Sequence, residues 1–232
     1  MVTIVTVNYN AYDFLELLIE SVQRYSNQCE LIIIDNSEYR KVINNNNQIH
    51  QFFMEKNIGH GGGLNLGVTK AIELFPNNQY IMFLDSDCHF LCSGWETAFI
   101  RKMKYNNLIG AKGSPVKPIR PACIFMKKDI AFKNDWMATE NYQGARKTPS
   151  GYDVAIQAYY RLLSQNCPMW FLEKHSNYYS TANGEMWGID GVSYVYHHWH
   201  GSHLEQRQVD FPNINLISDK EHLFSQIPWR LP

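Results

Sequence analysis

The stretch that most constrains this chain is an apolar run that stops on two acids, Ile81-Met82-Phe83-Leu84 followed by Asp85-Ser86-Asp87. Four consecutive apolar residues read as a strand buried on both faces, as in a sheet packed between helices. A strand ending in Asp-x-Asp holds its carboxylates at the rim of the sheet, where ligands of open α/β folds collect. Carboxylates one residue apart repel each other unless a cation lies beside or between them. The competing reading is a strand followed by an ordinary turn, since Asp and Ser both favour turns.

The same theme recurs upstream. Residues 2–7 alternate β-branched side chains and predict a first strand, broken by Asn8-Tyr9-Asn10. A helix follows over residues 12–25, with Phe14, Leu15, Leu18, Ile19 and Val22 on one buried face. The run 31–34 is a second buried strand and stops on Asp35-Asn36-Ser37; the Asn tract at 44–47 is a polar loop. Residues 51–55 make a third strand, and 59–63 a glycine-rich turn leading into a helix through Leu64, Val68, Ala71, Ile72 and Phe75, which Pro76 ends. This order predicts an α/β fold, a mainly parallel central sheet covered by helices on both faces. Asn8, Asp35 and Asp85 then share one edge of that sheet. Further on, helices are expected over 95–105 and 150–165, and strands over 122–126, 168–172 and 192–197. No repeat or linker divides the chain, so residues 1–232 are expected to form a single domain.

Composition narrows the function classes. With Lys+Arg 21 against Asp+Glu 22 the net charge is −1, which is no basic nucleic-acid footprint. Lys102, Lys104, Lys112, Lys117 and Arg120 read as solvated surface charge. Five cysteines (Cys29, Cys88, Cys92, Cys123 and Cys167) are an odd number in a chain large enough to need no staples, which fits a reduced, cytoplasmic compartment. Cys88-His89-x-x-Cys92 lacks the second pair that a zinc finger requires. No charged leader and no apolar stretch of about 20 residues is visible, so neither a signal peptide nor a transmembrane segment is expected.

Four motifs then fall in order: Val2-Thr3-Ile4-Val5-Thr6-Val7-Asn8-Tyr9-Asn10, Ile33-Ile34-Asp35-Asn36-Ser37, Asn57-Ile58-Gly59-His60-Gly61-Gly62-Gly63-Leu64-Asn65-Leu66-Gly67, and Leu84-Asp85-Ser86-Asp87. Together they resemble the family-2 glycosyltransferases of the GT-A fold. The glycine-rich stretch is most similar to the subset with rhamnosyl- and galactofuranosyl-transferases. The resemblance is tight over the first 90 or so residues and looser beyond. It implies a nucleotide-sugar-binding half over 1–90, an acceptor and catalytic half over 91–210, and a C-terminal extension over 211–232.

What the resemblance implies can be weighed residue by residue. It gives Asp35 a contact to the donor base, against a plain Asx-turn with Ser37. Asn8, Tyr9 and Asn10 would line the nucleoside pocket, while Asn10 is also suited to capping the helix. Asn57, Gly62 and Asn65 belong to the donor-binding glycine stretch, whose backbone can approach a ligand without Cβ interference. Asp87 is the principal metal ligand, and Asp85 reaches the ribose, or the metal through water. Mn²⁺ or Mg²⁺ suits such oxygen donors. His197 and His198 both stand where the family carries a late-strand His near Gly201-Ser202, with His200 close by. Alternation along a strand lets only one of that pair face the site. Asp153 is the candidate general base, with Glu140 or Asp135 as alternatives. Tyr152 departs from the family's acidic pair, and Ser150-x-x-Asp153 also reads as a capping box. Trp170, Trp187, Trp199, Tyr178 and Tyr179 are candidates for stacking on sugar or base, against ordinary core roles.

The expected function is a metal-dependent, inverting glycosyltransferase using a nucleoside-diphosphate sugar, UDP- or dTDP-linked. Its acceptor is left open among glycan, glycolipid, protein and modified nucleic-acid base. One alternative is a non-catalytic nucleotide-sugar-binding module, favoured by Tyr152. The other is a sugar nucleotidyltransferase, disfavoured because Asn8-Tyr9-Asn10-Ala11 replaces a Gly-x-Gly-x-Arg pattern.

Overall fold

The computed structural model describes residues 1–43, 47–114, 117–134, 136, 155–175, 184–198 and 216–227. The elements run β1 Val2–Asn8, α1 Tyr12–Tyr25, β2 Cys29–Asp35, β3 Ile49–Phe53, α2 Gly59–Leu74, β4 Tyr80–Leu84, β5 Cys88–Phe90 and α3 Trp95–Lys102. They continue with β6 Leu108–Ser114, β7 Lys117–Lys127, α4 Lys128–Lys133, α5 Ile156–Ser164, β8 Met169–His175, β9 Gly184–Ile189, β10 Val192–His198 and α6 Leu216–Ser225. The strands form a ten-stranded sheet in the order β3-β2-β1-β4-β7-β6-β8-β9-β10-β5.

Strict alternation puts the two faces of this sheet in different cores. Ile4, Leu31, Ile33, Met82 and Leu84 point to the face covered by α1 and α3, where Leu15, Leu18, Trp95 and Phe99 pack on them. Val5, Ile32, Ile34, Ile81 and Phe83 point the other way, onto Leu64 and Val68 of α2, Ala131 of α4, and Ala158 and Leu162 of α5. Each fully buried Ile, Leu or Phe contributes about 1.5–3 kcal/mol, so the doubly covered strands β1, β2 and β4 anchor the fold.

Helix α2 lies unusually close to β1, and its glycines are the reason. A Cβ at Gly63 would meet Val7 Cγ2 at 2.7 Å, and one at Gly67 would meet Val5 Cγ1 at 2.2 Å. The run 59–63 is therefore not a turn before the helix but its opening turn and a half. Only Gly59, with φ at +76°, departs from helical backbone.

Several expectations change. The sheet is parallel through β3-β2-β1-β4 and between β6 and β8, but every other pairing is antiparallel. The second half is thus built mainly from antiparallel neighbours, as in the β9–β10 hairpin turning at Asp190 and Gly191, both with positive φ. The expected strand 122–126 is the end of an eleven-residue β7. Strands β5, β6 and β9 and helices α4 and α6 were not foreseen. Within the C-terminal extension α6 forms, and Leu223 and Ile227 are buried with Phe14, Leu17, Met186 and Tyr196. The N-cap of α1 is Ala11 without a side-chain bond, so Asn10 does not cap that helix. The N-cap of α5 is Ala155; Ser150 and Asp153, expected as its capping box, lie outside the described residues. Among the described residues no helix is long and apolar enough to cross a membrane.

Candidate functional site

The parallel part of the sheet delivers three polar residues to one rim. Asn8 and Asp35 are directly opposed at the ends of β1 and β2, and Asp85 follows the end of β4. The first two are knitted together. Asn8 Nδ2 donates to Asp35 Oδ1 at 3.3 Å and to Ser37 Oγ at 3.0 Å, and Asn8 Oδ1 accepts from the Ala11 N–H at 3.3 Å. Asp35 also takes the Ser37 N–H at 3.0 Å, the Tyr12 hydroxyl at 3.0 Å and Gln51 Nε2 at 2.8 Å. The Asx-turn with Ser37 is therefore present. Asp35 is buried with both oxygens engaged, so it braces this wall of the rim at least as much as it presents an acceptor.

Neighbouring residues tie this wall to α2. Asn10 has φ at 56°; its N–H donates to Ser37 Oγ at 2.8 Å and its Oδ1 accepts from the Glu38 N–H at 3.3 Å. Tyr9 donates to Glu38 Oε1 at 3.3 Å. Asn36 spans from β2 to the start of α2, donating to the Gly59 carbonyl at 3.2 Å and accepting from the Ile58 N–H at 3.4 Å. Asn57 Oδ1 accepts from the Gly59 N–H at 2.8 Å, and Gly62 follows in the helix. Asn65 takes up the Trp136 N–H at 2.9 Å and lines a cavity of about 350 Å³ with Thr69, Asn134, Lys133 and Arg161.

The acidic pair occupies the adjoining part of the rim. A turn closed by the Cys88 N–H donating to the Asp85 carbonyl at 2.9 Å holds both side chains. Asp85 Oδ1 lies 3.4 Å from His60 Nε2, with the two side chains 23% and 33% exposed. Asp87 is nearly buried, and its Oδ1 lies 3.4 Å from His197 Nε2. Burial raises the Asp85 carboxyl above the ordinary range, and Asp87 adds to this while His60 and His197 oppose it. For His197, burial disfavours the charge, but Asp87 and then Asp85 outweigh it and raise the imidazole above its ordinary value. Such a cluster of acids around one imidazole is a site of concentrated negative potential.

Donor atoms of Asp87, Cys88 and His197 all lie within 4.8 Å of one another. The Cys88 thiol, however, donates to the Ala122 carbonyl at 3.4 Å, and burial holds it far above the ordinary thiol range. The donors left are a carboxylate, which suits a hard cation such as Mn²⁺ or Mg²⁺, and an imidazole, which suits softer first-row ions. Cys88, His89 and Cys92 do not converge: His89 packs on Tyr196 at 5.2 Å, and Cys92 donates to the Ser193 carbonyl at 3.4 Å.

The two histidines separate as strand alternation demands. His197 faces Asp87 and stacks on Trp187 with centroids 5.3 Å apart. His198 is fully buried on the other side, its ring 4.8 Å from that of Phe14. The expectation of His198 as a metal ligand is thereby corrected, because its ring belongs to the core beneath α1. Trp187 and Trp170 also pack in the core under α3. Asp153, Glu140, Asp135, His200, Trp199, Tyr178 and Tyr179 lie outside the described residues.

Sequence reasoning missed several members of this region. Glu185 stands opposite His197 across the β9–β10 pairing, buried and ion-paired with Lys174 and with Arg120 at 3.5 Å. Tyr12, Gln51 and Asn36 were passed over as helix-face, strand and turn residues. His60 had a legible signal, since it is the single side chain within a run of glycines.

The profile of the family described as "Glycosyl transferase family 2" matches residues 3–159. No curated protein matches the chain. Its fold is similar to that of S. aureus TarS in several crystal structures. TarS 1-349 superposes with a TM-score of 0.55 at 12% identity, covering 96% of this chain and 69% of that one. A further TarS structure gives 0.55 at 13% identity over 97% and 42% of the respective chains. TarS 1-349 in complex with UDP-GlcNAc gives 0.52 at 13% identity over 83% and 57%. In two of these three, the chain spans less than two thirds of the protein it resembles.

Proposed function

The chain belongs to glycosyl transferase family 2, and on that premise we propose that it transfers a sugar from a nucleoside-diphosphate sugar to an acceptor hydroxyl, with inversion at the anomeric carbon. The observation that carries this reading is the approach of His197 Nε2 to Asp87 Oδ1, 3.4 Å, beside Asp85 on the rim that Asn8 and Asp35 share. The crystal structure of TarS with UDP-GlcNAc makes UDP-sugars the first donors to test, with dTDP- and GDP-sugars beside them.

Asp87 and His197 would hold a divalent cation, Mn²⁺ or Mg²⁺, with Asp85 next to it. When bound, such an ion neutralises charge on a departing diphosphate. The wall built by Asn8, Asn10, Asp35 and Ser37 receives the nucleoside. Asp153 serves as the general base, with Glu140 as its alternative. It takes the proton of the acceptor hydroxyl as that oxygen bonds to the anomeric carbon and the bond to the diphosphate oxygen breaks. As a ligand His197 would be neutral at Nε2, and it would hold the cation beside the place where negative charge accumulates on the leaving group.

The test is a thermal-shift screen of UDP-, dTDP- and GDP-sugars with and without Mn²⁺, followed by donor hydrolysis with the best binder. Asp87→Ala is expected to abolish both the Mn²⁺-dependent shift and turnover. Full activity in that variant, or no shift with any nucleotide sugar, would sink the reading.

A further inference from the structure

His60 stands at a position where nothing about the helix requires it. It is flanked by Gly59, Gly61, Gly62 and Gly63, so its imidazole is the single side chain on the opening of α2. The backbone around it is held from both directions. Asn36 binds the Gly59 carbonyl and the Ile58 N–H, and Asn57 binds the Gly59 N–H. The close approach of Gly63 and Gly67 to Val7 and Val5 sets the height of the helix over β1. This fixed start brings His60 Nε2 to 3.4 Å from Asp85 Oδ1, across the gap between α2 and the end of β4. Both side chains keep part of their surface open to solvent, 33% and 23%, so a ligand at the rim can reach them.

Resting on the nucleoside-diphosphate-sugar reading above, we infer that His60 is a positioning residue for Asp85. It engages one carboxylate oxygen and so sets the direction in which the other meets the donor. Without it, Asp85 is a short side chain beside a second carboxylate, and repulsion from Asp87 turns it towards water. A carboxylate already aimed loses less rotamer freedom when the donor binds, which is the general benefit of preorganisation. At 3.4 Å the contact is an ion-pair distance, and a small turn of the ring brings Nε2 within hydrogen-bond reach of Oδ1, where a neutral imidazole protonated on Nε2 also serves. His60 therefore acts on donor binding and leaves proton transfer from the acceptor to another group.

The experiment is calorimetric titration of UDP and of dTDP, each with Mn²⁺, into the full chain, its His60→Ala variant and its His60→Gln variant. Steady-state rates are measured on the best donor. His60→Ala is expected to weaken nucleotide binding about tenfold, the scale of one hydrogen bond to a charged group. It should raise the donor KM by a similar factor and leave kcat within about threefold, the signature of lost ground-state binding. His60→Gln, which carries an amide donor at comparable reach, should recover most of the affinity. A merely structural role would lower the melting temperature and spare KM. Wild-type protein that binds UDP or dTDP while His60→Ala binds it equally well overturns the role of His60 alone. Wild-type protein that binds neither overturns the nucleotide-sugar reading and this inference with it.

Discussion

His197 Nε2 approaches Asp87 Oδ1 to 3.4 Å, and this pair sets the polarity of the whole rim. Asp87 is nearly buried, and a buried carboxylate persists as an anion only with a partner. Its sequence neighbour His198 is turned into the core against Phe14. The two histidines should therefore fail differently. His197→Ala is expected to lower Mn²⁺-dependent turnover at least about 100-fold, the loss typical of removing one electrostatic donor. His198→Ala should instead destabilise the fold by about 2–4 kcal/mol, as large-to-small core changes do. Its kcat should stay within about threefold. Rates with saturating donor and urea unfolding curves check both; the reverse pattern would exchange their roles.

How far this was readable from sequence depends on the element. Asp35 and Asp85 were placed at strand ends because apolar runs stop on them, and a doubly buried strand leaves no other period to confuse. The choice between His197 and His198 was not readable. Strand β10 carries an irregularity between Ser193 and Val195, which shifts the alternation by one residue, and only the pairing with β9 reveals it. Strand β6 was hidden by Gly110 and Gly113, residues that disfavour strands. Gly110 is needed there because a Cβ would meet Ile119 Cδ1 at 2.5 Å. Strand β5 has three residues and pairs with β10, roughly a hundred positions away, a contact that no local pattern encodes.

Asp153 and Asp87 should separate chemistry from binding. Asp153→Asn keeps size and polarity but removes the base. Turnover is expected to fall by about 10²–10⁴, the usual range for general base catalysis, with donor affinity within about threefold. Asp87→Asn should weaken Mn²⁺-dependent donor binding itself. Single-turnover assays and calorimetry on both variants make the comparison, and Glu140→Gln serves as the third arm. If Glu140→Gln loses turnover while Asp153→Asn keeps it, the base is Glu140.

Gly67 is the tightest contact between α2 and the sheet. Alanine there would place its Cβ 2.2 Å from Val5 Cγ1, and Val5 sits in a central strand that cannot retreat. Gly67→Ala is expected to destabilise the protein by about 1–3 kcal/mol despite the better helix propensity of Ala. Val5→Ala should relieve that strain, so the double variant is more stable than the sum of the two single losses implies. Simple additivity in denaturant unfolding would show that the helix shifts freely.

Glu173 fastens the β9–β10 turn by accepting the Gly191 N–H at 2.9 Å and the Asp190 N–H at 3.2 Å. The Gly191 N–H, then the His175 ring, hold its carboxyl below the ordinary range. A folded value below the unfolded one means the carboxylate stabilises the fold above about pH 4.3. That contribution fades as pH falls through the lower folded value. The stability gap between wild type and Glu173→Gln should thus be constant near neutrality and close in acid. Denaturant curves at pH 7 and pH 3 measure it; a gap that persists at pH 3 would show that the side chain acts by packing instead.

The cysteines give an independent reading of burial around the acidic pair. Burial pushes the Cys29 thiol up to about 12, and raises Cys88 and Cys123 strongly as well, with Asp85 contributing to both of the latter. Thiolate is the reactive form, so these three should be silent to a thiol reagent at pH 8 in the folded protein. Cys167 and Cys92 are partly exposed and free, and Cys92 is slowed by its own raised value. Native protein should therefore release one fast and one slower equivalent from an aromatic disulfide reagent, and five in guanidinium. Rapid modification of Cys88 in the native state would mean that the wall behind Asp87 opens to solvent. The paired carboxylate and imidazole would then sit in a far wetter site than the one on which the metal reading depends.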